Sequence, residues 1–165
     1  MMKQLTLLLA GLLLATSLFS QAITKASITG HWKVQKVVKE GHLIFDATNV
    51  EASTKALQGQ MIDGDSANRR RRANMVSDGF KNMSFEFADN NTFTIGGFSA
   101  AGSTRSGDKG SYELDVAKRT ITLFNNGIKK VKNMTFSVEQ ATGKTLVVTS
   151  DKASDLPGVT FTLYK

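Results

Sequence analysis

From residue 27 onward, apolar and polar residues alternate at period two over short runs, the pattern of strands with one buried face. Trp32, Val34 and Val38 share one face of the first run. Glu40-Gly41 marks a tight turn, and Leu43-Ile44-Phe45 brings the chain back. A turn centred on those two residues pairs Val38 with Leu43 and Lys36 with Phe45. A slip of one residue would invert every face. Further runs follow at Met83-Phe85-Phe87, Phe93-Ile95, Tyr112-Leu114-Val116, Ile121-Leu123, Val131 to Val138, Leu146-Val147-Val148 and Val159-Phe161-Leu163. The pattern predicts about nine strands, most joined by hairpin-length loops. Evenly spaced short strands of this kind form a sandwich or a barrel.

One stretch changes period. Thr48-x-x-Glu51 has the form of a capping box, and Val50, Thr54, Leu57 and Met61 then recur at helical spacing. Asp63-Gly64-Asp65 interrupts this helix. Ser66 can cap a second one, with Ala73, Val76 and Phe80 on one face. The expectation is a two-helix insert, about residues 48–82, between the second and third strands.

The first residues read as an address. Met1 to Lys3 are followed by an apolar run from Leu5 to Ala15 and then by small and polar residues. This is the form of a secretory signal over residues 1–22, cut after Ala22 or Ser20. The run is shorter than a spanning helix requires. The expected product, residues 27–165 in one barrel domain, is periplasmic or secreted. With no cysteine in the chain, it carries no lipid anchor, disulfide or thiolate site.

Composition narrows the chemistry. There are 10 phenylalanines against 2 tyrosines and 1 tryptophan, and a formal charge of +7. Phenylalanine fills space without offering a hydrogen bond. His31 and His42 do not converge, and no nucleophile, base and orienting group can be assembled. The chain is therefore expected to be no enzyme, with no metal and no cofactor. Gly143-Lys144-Thr145 lacks the upstream glycine of a phosphate loop and joins two strands, so it reads as a hairpin turn. Gly96 to Gly110, rich in Gly and Ser, reads as a loop.

Gly30-His31-Trp32-Lys33-Val34 resembles the opening strand of the lipocalin and fatty-acid-binding superfamily. Gly110-Ser111-Tyr112-Glu113-Leu114, Arg119-Thr120-Ile121-Thr122-Leu123 and the closing Met134–Lys165 meander resemble bacterial secreted lipocalin-like domains. The resemblance implies an antiparallel up-and-down barrel, mainly β, with Trp32 plugging its closed end. Many lipocalins lay an arginine near the C-terminus over that tryptophan. No arginine follows Arg119 here, and Lys165 or Lys152 would replace it only partly. The arginine-tyrosine pair with which fatty-acid-binding proteins hold a carboxylate is also missing, since Thr162-Leu163-Tyr164 stands at its spacing.

Two groups of residues are candidate sites. Trp32, Phe45, Phe85, Phe87, Phe93, Tyr112, Ile121, Met134, Phe136 and Phe161 are expected to point inward. They would either line a pocket for a small apolar or amphipathic ligand or form a packed core. Lys36, on the Trp32 face by the hairpin register, would meet a ligand's acid group unless a bulge turns it outward. Arg69, Arg70, Arg71 and Arg72 are spread around a helix at steps of about 100°, close to an N-terminus whose dipole opposes them. They suit an anionic envelope surface, or else a solvated face paired with Asp63, Asp65 and Asp78. Nucleic acid is not an expected partner of an exported chain. Two roles remain open: a ligand-binding barrel, or an envelope interaction module with a packed interior.

Overall fold

The computed structural model describes residues 22–97, 108–124, 133–153 and 156–165. The expected signal segment before Ala22, most of the Gly96–Gly110 loop, and Val131 lie outside these residues. After a single helical turn, α1 (Lys25–Ile28), come β1 (Gly30–Lys39) and β2 (His42–Asp46). Two helices follow, α2 (Val50–Gln60) and α3 (Ser66–Asn82). Seven further strands complete the chain: β3 (Ser84–Phe87), β4 (Thr92–Gly96), β5 (Asp108–Asp115), β6 (Thr120–Phe124), β7 (Met134–Ala141), β8 (Thr145–Ser150) and β9 (Val159–Tyr164). Each pairs antiparallel with its neighbour, and β9 returns to pair with β1. The result is a closed eight-stranded antiparallel barrel with a helical insert where the sequence places it.

Nine strands make eight positions because β2 and β3 share one edge of β1. β2 pairs with Lys36–Lys39, and β3 with Gly30–Lys33. The ladder barely breaks between them. Ala47 N donates to Gln35 O at 2.8 Å, and Val34 N donates to Met83 O at 3.3 Å. Residues 47–83 thus leave and rejoin the wall beside two adjacent residues of β1.

The Glu40-Gly41 turn forms as expected. Both residues have positive φ, 51° and 81°, the twist that suits a two-residue hairpin. Val38 pairs with Leu43 as predicted, but Ile44 is then bulged and Phe45 pairs with Val37, not Lys36. Against β9, Gln35 is skipped between Val34 and Lys36. A bulge inserts one residue and so reverses which face the following residues occupy. Trp32, Val34 and Val37 therefore point inward, Val38 is half-buried, and Lys36 is exposed. β7 repeats the device: a shift between Val138 and Gln140 turns Ala141 inward after Phe136 and Val138. Val116, expected on the inner face, lies in the β5–β6 turn and is exposed.

Both helix starts fall one residue from their expected caps. Asn49, not Thr48, caps α2 by accepting from Ala52 N at 3.1 Å. Thr48 is held by Asp46, whose Oδ1 accepts from the Thr48 amide at 2.8 Å and hydroxyl at 2.6 Å. Asp65, not Ser66, caps α3 through Asn68 N at 2.8 Å. In both cases a neighbouring side-chain oxygen is better placed for the first unpaired amides.

Candidate functional site

The barrel interior, the end closed by Trp32 and the helical insert can each be read for function. All eight aromatic candidates of the interior face inward and are buried: Trp32, Phe45, Phe85, Phe87, Phe93, Tyr112, Phe136 and Phe161. Ile121 is buried too, while Met134 is half-buried at the margin of the core. The rings meet one another. Phe161 stands edge-on to Phe85 at 5.6 Å and to Phe136 at 6.3 Å between centroids, and Phe87 meets Tyr112 at 5.3 Å. Such edge-to-face pairs are a favoured packing of aromatic quadrupoles. A further ring comes from α3: Phe80 reaches Phe45 at 5.9 Å and Phe161 at 6.4 Å. Helical spacing put Phe80 on an apolar face, but nothing in its local pattern tied it to the barrel rings.

Lys36 does not join this interior. The Gln35 bulge places it outside, opposite Asp46. Its charge helps to hold the Asp46 carboxyl below the ordinary value, a smaller effect than the hydrogen bonds from Thr48. Of the two readings of Lys36 the structure shows the second, a bulge that turns it outward, and the reading in which it grips a buried acid group is corrected.

Trp32 Nε1 donates to Ile28 O at 2.7 Å, and Ile28, at the end of α1, is buried in the core together with Ile23 just before the helix. Lys165 takes the place over the indole, its Nζ 4.5 Å from the ring centroid and 2.7 Å from Thr29 O. A lysine supplies the cation–π attraction without a guanidinium's stacking plane. Gly30 makes room for it. Its φ is +131°, and a Cβ there would stand 2.8 Å from Lys165 Cε. The Gly-x-Trp spacing is thus explained by backbone shape and by the lysine overhead. Tyr112 donates its hydroxyl to Ala88 O at 3.0 Å, and burial raises its pKa.

The helical insert carries the charge. Arg69 Nη1 donates to Gly64 O at 2.7 Å, and Arg72 donates to Asp63 O. These two arginines hold the α2–α3 turn by its carbonyls, not by the expected carboxylate pairing. Among the described residues the recorded ion pair is Lys118–Asp115, far along the chain. A groove of about 680 Å³ runs between the helices, lined by Thr54, Lys55 and Gln58 from α2 and by Arg70, Asn74 and Asp78 from α3. Its walls are polar and of mixed charge, unlike an apolar ligand chamber. At its floor Thr54 Oγ1 and Ser77 Oγ share a hydrogen bond of 2.6 Å. His31 and His42 are both exposed, and no group of three potential metal ligands occurs among the described residues.

No family model matches the chain, and no curated protein does. Among solved structures it is similar to the crystal structure of a DUF4847 family protein from Bacteroides vulgatus. The two are 14% identical with a TM-score of 0.46, over 82% of this chain and 92% of that one.

Proposed function

We propose that the protein is an exported, non-catalytic, lipocalin-like interaction module whose barrel is filled by its own side chains and whose binding chemistry lies outside. One observation carries this reading. Phe45, Phe85, Phe93, Phe136 and Phe161 retain between 0 and 4% of their surface. A ring lining a chamber wide enough for even one water would keep accessible surface on that side. Rings this covered are packed as a protein core is packed. On the barrel wall the buried hydroxyl of Ser150 is likewise engaged within the fold, accepting from Val159 N at 2.9 Å.

Titration with a fluorescent fatty acid, together with native mass spectrometry of the purified protein, tests this reading. The expected result is bare protein and no saturable uptake. One lipid per chain, or a saturable one-to-one isotherm, would restore the competing role of a carrier for a small apolar or amphipathic ligand. Export is tested by fractionation and N-terminal sequencing, with a start at Gln21 or Ile23 expected.

A further inference from the structure

The turn between α2 and α3 brings an exposed aliphatic side chain and a group of arginines together. Ile62 is 90% exposed at its tip. Directly beside it, Arg69 and Arg72 lay their guanidinium groups on the carbonyls of Gly64 and Asp63. Each of these two uses one hydrogen bond of the five a guanidinium can donate, so both keep donors for another acceptor. Arg70 and Arg71 are exposed, with no hydrogen bond or ion pair recorded. Met75, 38% exposed, lies four residues after Arg71 on the same helical face.

Along the turn and the start of α3 the acidic residues do not cancel this charge, although Glu51 and Asp78 share with Arg70 the groove between the helices. Residues 61–75 hold four arginines against Asp63 and Asp65, and the Asp65 carboxylate is taken up in capping α3. The arginines do not serve the helix either, since positive charge near an N-terminus opposes its dipole. What accounts for both features is an exposed aliphatic tip surrounded by cations, set against a plane that is anionic at its surface and apolar just beneath. Guanidinium forks match phosphate oxygens, and an aliphatic side chain gains by leaving water beneath the headgroups.

We infer that the α2–α3 turn docks the protein on an anionic phospholipid bilayer, with Ile62 entering the interface and the arginines of α3 meeting the phosphates. The inference rests on the proposal that binding chemistry lies outside the barrel, and it names that surface.

Co-sedimentation with vesicles of phosphatidylcholine, with and without phosphatidylglycerol, tests it. Wild type and variants carry the same N-terminus, so any contribution from residues 1–22 is common to all. Wild type is expected to bind only the phosphatidylglycerol vesicles, and less as salt rises. Ile62→Ser is expected to weaken binding about tenfold, and Arg70→Gln with Arg71→Gln about thirtyfold with a flatter salt dependence. Lys36→Gln, on the barrel wall, is expected to bind as wild type does. Ile62 is almost fully solvated, so Ile62→Ser should fold normally, which circular dichroism checks. Equal binding to both vesicle types, indifference to salt, or no loss in Ile62→Ser would overturn the docking. Failure of the packed-interior reading looks different: lipid drawn into the protein one-to-one from either vesicle, whatever stands at residue 62.

Discussion

Phe45, Phe85, Phe136 and Phe161 are buried inside the barrel, whereas α2 and α3 bury Ser53, Ala73, Ser77 and Gly79 alongside Leu57. The barrel gains its stability from large apolar surfaces removed from water, each full side chain contributing about 1.5–3 kcal/mol. The helical pair has small residues, two side-chain caps and a hydroxyl pair, each of these polar contacts contributing about 1 kcal/mol. The contrast separates a robust part of the molecule from one that opens more readily. A ring-packed wall resists local opening, while helices held by a few polar contacts and one inserted ring open at lower cost.

Removing the central ring should break the comparison most visibly. Phe161→Ala is expected to lower global stability by about 3–5 kcal/mol in denaturant unfolding. It should also leave a dry cavity that takes up benzene, detectable by a rise in melting temperature. A loss near zero would mean that the rings stand around an open chamber.

The closed end comes next. Gly30→Ala forces a side chain onto a φ of +131° and into the path of Lys165, at a cost of about 1–3 kcal/mol. The Trp32 indole N–H resonance should shift as the lysine is displaced. An unmoved resonance would show that Lys165 does not depend on Gly30.

Ser77→Ala should cost about 1 kcal/mol by removing the partner of Thr54. Amide exchange should then quicken in α2 and α3 and stay slow in β8 and β9. Equal acceleration throughout would mean that insert and barrel open as one unit.

The smallest effect concerns acid. The Asp46 carboxyl titrates below its ordinary value, chiefly through the hydroxyl and amide of Thr48. A group whose folded pKa is lowered adds stability above its unfolded pKa, and that stability is lost as pH falls through the folded value. Thr48→Val should therefore be less stable than wild type at neutral pH, with the gap closing in acid. A gap that persists unchanged in acid would assign the loss to packing.

The strands, the hairpin at Glu40-Gly41, the inward rings and the place of the helices were legible because period and turn chemistry are local. The face of Lys36 was not, because alternation assumes an unbroken register. Even so, the bulges at Gln35 and Glu139 share a signature. Val34-Gln35-Lys36-Val37 and Val138-Glu139-Gln140-Ala141 each place two adjacent polar residues between inward apolar ones. A doubled polar position inside an alternating run marks the residue that the wall ejects. The partners of Arg69 and Arg72 were hidden for a different reason: charge pairing can be guessed from composition, but a backbone carbonyl is available at every residue. Lys165 over Trp32 was one of two lysines that the resemblance offered, and β9 closing against β1 is what selects it over Lys152. Ile62 did leave a signal, as an isoleucine set against the Asp-Gly-Asp of a turn.

The shared edge of β1 also sets a sequence of events in time. β2 reaches that edge across a two-residue turn, so its pairing is quick. β3 reaches the same edge only after residues 47–83, and β9 only after the rest of the chain. Loop-closure entropy opposes both, though it grows slowly with length. Were α2 and α3 to dock before β3 pairs, Ala47 and Met83 would be brought together and the insert would act as a folding clamp that hands β3 to β1. Folding kinetics would show this as a larger fractional effect of substitutions at Val37 and Leu57 than at Leu163.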